Sequence, residues 1–71
     1  MRAWVIEIYE YDQTAKTGRW VTFRHRNAEK NVARFEVFGT LHKFVKNHAL
    51  ALGQRVRAYN ELTHEYREIQ A

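Results

Sequence analysis

The stretch Arg2-Ala3-Trp4-Val5-Ile6-Glu7-Ile8-Tyr9-Glu10-Tyr11 decides how this chain is read. It is rich in β-branched and aromatic residues and alternates with a period of two, the pattern of a strand with two unlike faces. Trp4, Ile6 and Ile8 share one face, and Val5, Glu7, Tyr9 and Tyr11 share the other. The first set is wholly apolar and the second mixes a carboxylate with aromatics, so the first is assigned to the core.

Working outward, Asp12 to Gly18 is a polar loop closing on a glycine, and Arg19 to Arg26 alternates again, so the two runs make a hairpin. In that second strand Val21, Phe23 and His25 fall on the core side by parity, while Trp20, Thr22, Arg24 and Arg26 point away. After a polar interval, Ala33 to Phe38 reads as a third strand with Phe35 and Val37 inward. A helix starting near Ala28 competes for these residues. Its apolar positions 32, 35, 38 and 41 recur every three residues and drift around a 3.6-residue helix, and Gly39 interrupts it, so the strand is preferred.

Thr40 follows Gly39 as an N-cap whose hydroxyl can accept from the first free backbone N–H groups. Leu41, Phe44, Val45, His48 and Leu52 then form an apolar stripe on one helical face, with His48 read as a core histidine, and Gly53 supplies the left-handed residue that ends the helix. Lys43, Lys46 and Asn47 lie off that stripe. Residues 54–60 and 64–70 flank Asn60-Glu61-Leu62-Thr63 as a second hairpin, with Val56 and Ala58 inward and Arg55, Arg57 and Tyr59 outward. The order ββ(β)αββ defines an α+β fold, a small antiparallel β-sheet with one amphipathic helix packed on one face. Residues 1–71 are expected to form a single domain, because 71 residues cannot supply two cores.

The composition narrows the chemistry. At 45% hydrophobic and 14% aromatic the chain is too rich in large apolar side chains to stay disordered. It has no cysteine, which removes disulfides, thiolate nucleophiles and cysteine-based zinc sites. Glu7 arrives after four apolar residues, leaving neither a signal-peptide core nor a membrane-spanning run, so no membrane contact and a cytoplasmic location are expected. His42 and His48 stand about 240° apart around a helix and cannot chelate together, so no metal and no cofactor are expected. Glu61, Glu65 and Glu68 sit in a short hairpin with Arg67 among them, and no phosphate-binding or nucleophile loop occurs; the chain is not expected to be an enzyme.

Charge carries the functional signal. The net charge of +4 is unevenly spread: residues 1–15 and 58–71 each sum to −2, whereas residues 16–34 sum to +5 and residues 35–57 to +3. A small protein with a concentrated positive segment attracts phosphate or an acidic protein surface. The face left uncovered by the helix would display Tyr9, Tyr11, Trp20 and Tyr59 interleaved with Arg24, Arg26, Arg34, Arg55 and Arg57, and aromatic faces beside guanidiniums suit stacked bases and phosphates. Glu7 and Glu36 on that face would repel phosphate. The expectation is therefore a small basic binding protein that docks nucleic acid, or a nucleoprotein complex, on this face. The alternative is an inhibitor or adaptor that occupies a protein surface, of the kind phages direct at host machinery, since Trp, Tyr and Arg dominate protein hot spots. A homodimer through the exposed edge or face is the third arrangement considered.

Overall fold

The computed structural model describes residues 2–24 and 32–70. It contains β1 (Trp4–Asp12), β2 (Thr17–Thr22), β3 (Arg34–Phe35), α1 (Phe38–Asn47), β4 (Val56–Asn60) and β5 (Tyr66–Ile69). These form one antiparallel sheet in the order β2-β1-β4-β5, with β3 also paired to β1 and α1, the one helix among the described residues, packed on one face. The expected α+β architecture is what the chain adopts.

β1 lies at the centre because it alone is long enough to serve several partners. Along one edge β2 pairs with Glu7–Asp12 and β3 with Trp4–Val5; along the other β4 pairs with Trp4–Ile8. Ile6, opposite Ala58 and bonded through its carbonyl to the Phe23 N–H at 2.8 Å, is fully buried. Around it gather Trp4, Leu41, Val45, Ala51, Val56, Ala58 and Ile69, with Ile8, Phe23, Phe35, Phe38, Phe44 and Leu50 closing the margin. Phe44 meets Phe35 and Phe23 at centroid distances of 5.3 and 5.9 Å, and Phe38 meets Trp4 edge-on at 5.6 Å, geometries that aromatic rings favour. Arg67, on the helix side of β5, caps this end with its guanidinium 5.0 Å from the Phe38 centroid and 5.5 Å from that of Trp4.

Several boundaries differ from the sequence reading, each for a packing reason. The helix begins at Phe38, so Thr40 lies inside it and is not its cap; the cap residue is extended Val37, with no side-chain bond to the first turn. Starting early places Phe38 on Trp4, and that burial outweighs the roughly 1 kcal/mol helix penalty of Gly39. For the same reason β3 is only two residues long, and Val37 is 56% exposed and does not point inward.

The helix also ends early. The Leu50 N–H donates to the Val45 carbonyl at 3.0 Å and the Ala49 N–H to the Lys46 carbonyl at 3.2 Å, the paired bonds of a Schellman terminus. Ala49 therefore occupies the left-handed position, at φ 51°, which Gly53 was expected to fill; Gly53, at φ 78°, belongs to the following turn. The apolar stripe is cut short, so His48 is exposed and stacked on Phe44 at 4.1 Å and is not a core residue, and Leu52 is 74% exposed.

β2 starts at Thr17, bringing Gly18 into the strand. The turn before it is organised by Asp12, whose Oδ1 accepts from the N–H groups of Thr14 (2.9 Å) and Ala15 (3.3 Å). His25 and Arg26 lie outside the described residues.

Two stability measurements follow. Leu41→Ala should cost about 2–5 kcal/mol and Leu52→Ala less than about 0.5 kcal/mol in urea unfolding. Ala49→Gly should stabilise by about 0.5–1 kcal/mol, because it relieves a left-handed alanine; a destabilised glycine variant would contradict the terminus described.

Candidate interaction surface

The register of β1 assigns a direction to every side chain in the sheet. Tyr9 is opposite Trp20, Glu7 is opposite both Thr22 and Arg57, Val5 is opposite Tyr59 and Arg34, and on β5 Glu68 and Tyr66 are opposite Arg57 and Tyr59. Directly paired residues project to the same side, so all of these share the face away from the helix. Of the anticipated site residues, Tyr9, Tyr11, Trp20, Arg55, Arg57 and Tyr59 come together there. Arg24 extends the same parity along the rim; it is exposed, bridges to Val32, and borders a shallow depression with Arg19, Trp20 and Thr22. Arg26 lies outside the described residues, and Glu36 sits in the bend after β3.

Arg57 organises the surface. Its Nε donates to Glu7 Oε1 at 2.7 Å, and its guanidinium carbon lies 4.0 Å from the ring centroids of both Trp20 and Tyr66, which come from strands on opposite sides of β4. The planar cation thus meets two ring faces and a carboxylate together, an arrangement suited to guanidinium and not to the compact ammonium of lysine. With side-chain exposures of 22% for Arg57 and 15% for Glu7, this pair is shielded from water.

The remaining groups build out from that centre. Arg55 donates to Glu68 Oε1 at 2.8 Å and lies 5.3 Å from the centroids of Tyr9 and Trp20. The bond to Glu68, reinforced by its charge, raises the Arg55 pKa above its ordinary value. Arg34 donates to Glu61. Tyr9 meets Trp20 edge-on at 5.3 Å, and its phenol lies across Gly18, where a Cβ would overlap the ring. A side chain at position 18 would force the Tyr9 ring to move from this place. Tyr59 stacks on Tyr66 at 4.6 Å, its hydroxyl 2.7 Å from Nδ1 of His64. Partial burial, followed by the neighbouring Tyr66, Glu7 and Glu61, raises the Tyr59 pKa above the usual phenol value.

Sequence reading missed Tyr66, Glu68 and Glu61. The parity of β5 depends on the hairpin register. Asn60 sets it by accepting through Oδ1 from Leu62 N–H (2.9 Å) and Thr63 N–H (3.0 Å), while His64 turns left-handed at φ 62°. The Asn at the start of the connection was the available signal. Val5 was placed on this face correctly, yet it is buried between Tyr59 and Arg34. Among the described residues no three of His, Asp and Glu gather as a metal-binding group. Comparison of the chain with protein-family models, with curated proteins and with solved structures gives no match.

A double-mutant cycle of Glu7→Gln and Arg57→Met should give a coupling of about 1–3 kcal/mol, with Trp20 fluorescence shifted in both single variants. Zero coupling would mean that the pair is not formed in solution. The folded chain also holds the Tyr59 proton more tightly than the unfolded chain does. This contribution is therefore complete below the ordinary phenol pKa and disappears as pH rises through the folded value. As pH rises above about 10, Tyr59→Phe should lose less stability than the unaltered protein in urea melts.

Proposed function

We propose that the chain is a non-enzymatic binding module that docks a protein partner on the open face of its sheet and acts by occupancy, as an adaptor or inhibitor. The observation carrying this reading is that Arg34, Arg55 and Arg57 each close on a carboxylate of the same chain, Glu61, Glu68 and Glu7, while Tyr11 and Tyr66 remain 57% and 53% exposed. A phosphate backbone on this face would have to displace three carboxylates or lie against them, and either costs electrostatic energy. A protein surface gains from the exposed rings without breaking the pairs, and Tyr, Trp and Arg supply much of the energy of such interfaces. The net charge of +4 biases the partner toward an acidic surface.

The test is tryptophan fluorescence with random-sequence DNA and RNA at two salt concentrations, beside capture of proteins from a nuclease-treated lysate. Retention of a protein by the unaltered chain, lost in the Tyr11→Ala, Tyr66→Ala double variant, is the expected result. Oligonucleotide binding whose log affinity falls against log salt with a slope of roughly −3 to −4, about four phosphate contacts, would transfer the face to nucleic acid.

A further inference from the structure

β2 stands at the edge of the sheet, and its outer side carries a second surface distinct from the open face. The Phe23 N–H donates to the Ile6 carbonyl at 2.8 Å, and Phe23 opposite Ile6 continues the register that sets Val21 opposite Ile8 and Arg19 opposite Glu10. Backbone groups alternate along an antiparallel ladder, so Arg19 and Val21 also turn theirs toward β1. Gly18, Trp20 and Thr22 therefore turn their N–H and C=O groups outward. The Tyr9 N–H agrees with this phase: it donates to Arg55 at 3.0 Å, away from its β2 partner Trp20. Among the described residues no segment pairs with this edge from Thr17 to Thr22; the bridge between Arg24 and Val32 closes only its far end.

Such an edge accepts an added strand unless charge, proline or a bulge blocks it. This one has no proline, and between Lys16 and Arg24 it carries Lys16, Arg19 and Arg24 with no acidic residue. The chemistry selects the occupant. Outward groups that alternate donor and acceptor match another peptide backbone, whereas a phosphodiester offers acceptors alone and would face the carbonyls of Gly18, Trp20 and Thr22 unpaired. A second copy adding β2 to β2 would bring two such cationic strands to roughly 4.8 Å spacing. A second copy adding β5 would present Glu65 and Glu68, already bonded to Arg67 and Arg55.

We infer that the free edge of β2 binds an extended, acidic peptide segment of a partner protein by β-strand addition. Main-chain bonds to Gly18, Trp20 and Thr22 supply the affinity, and carboxylates on the side of the added strand shared with Val21, beside Arg19, set the preference. The contact is made by the edge backbone, so it stands or falls separately from docking on the face.

The probe is a capped octapeptide alternating glutamate with threonine or valine, added to the full chain while amide hydrogen exchange is followed by NMR. At saturation the amides of Gly18, Trp20 and Thr22 should slow by about tenfold or more, while Arg19 and Val21, already bonded to β1, change little. Thr22→Pro removes an outward donor at an edge position where proline is tolerated, and should weaken binding by about tenfold or more. Should that variant fold poorly, the same peptide N-methylated at alternate residues makes the equivalent test on the unaltered protein. A lysine-for-glutamate peptide should bind more weakly, and the Tyr11→Ala, Tyr66→Ala variant should bind the acidic peptide normally. The inference is overturned by no peptide binding, by binding that leaves the three amides unchanged, by equal binding of the N-methylated peptide, by a doubled mass in sedimentation with those amides protected before peptide is added, or by stronger protection of them by a thymidine oligomer.

Discussion

The register of β1 is the constraint on which the rest of the molecule depends. This strand pairs with β2, β3 and β4, and each inherits the direction of its side chains from it. A slip of one residue would exchange Ile6 and Ile8 with Glu7 and Tyr9, placing a carboxylate beneath the helix. Two interactions on opposite faces of adjacent residues oppose that slip. Ile6 is sealed with Leu41, Val45 and Val56 on the helix side, and Glu7 holds Arg57 on the other. Burial of the isoleucine sets the energy scale, while the ion pair specifies which residue of β4 stands opposite. The pair thus does for the open face what the core does for the covered one.

That division explains what could be read from the sequence. Parity is local, so alternation alone separated Trp4, Ile6, Ile8, Val21 and Phe23 from Glu7, Tyr9 and Trp20, and the structure keeps that separation. Helix limits are not local. Thr40 and Gly53 have the composition of helix ends, but Phe38 gains a contact with Trp4 by starting earlier, and chain reversal after Asn47 forces Ala49 into a conformation that its side chain disfavours. His48 and Leu52 continued the apolar periodicity past the point where the helix had turned away from the sheet. Gly18 illustrates the opposite case: a glycine read as punctuation serves packing, because the Tyr9 ring occupies the space of its missing side chain.

Charge was legible in amount but not in arrangement. A net charge of +4 with cations concentrated in the middle of the chain suggests a surface ready for phosphate, yet pairing is a property of registers between strands distant in sequence. Glu7 and Arg57 are fifty residues apart and meet only because β4 returns beside β1. Once paired, Arg57 has less to offer an incoming anion and more to do as a rigid plate between Trp20 and Tyr66. A surface whose side chains are already fixed loses less conformational freedom when a partner covers it, which favours shape-specific protein contact over the diffuse attraction that loose surface cations provide.

Trp20 links the two surfaces. Its indole lies on the open face under Arg57, while its backbone N–H and carbonyl look out from the edge of β2. A strand added along β2 would set its own side chains next to the indole, continuing the aromatic face by one more strand. The two surfaces are therefore contiguous, and one partner that contributes a strand and the fold behind it can reach both. Strand addition by itself discriminates poorly, because every peptide has the same backbone; specificity must come from side chains beyond the hydrogen-bonded ladder. Here the Trp20 indole, which would flank an added strand, is held against Arg57 and so by the Glu7–Arg57 pair, while Arg19 supplies the charge preference. The interaction that fixes the sheet's register thus fixes part of the shape against which an added strand would be read.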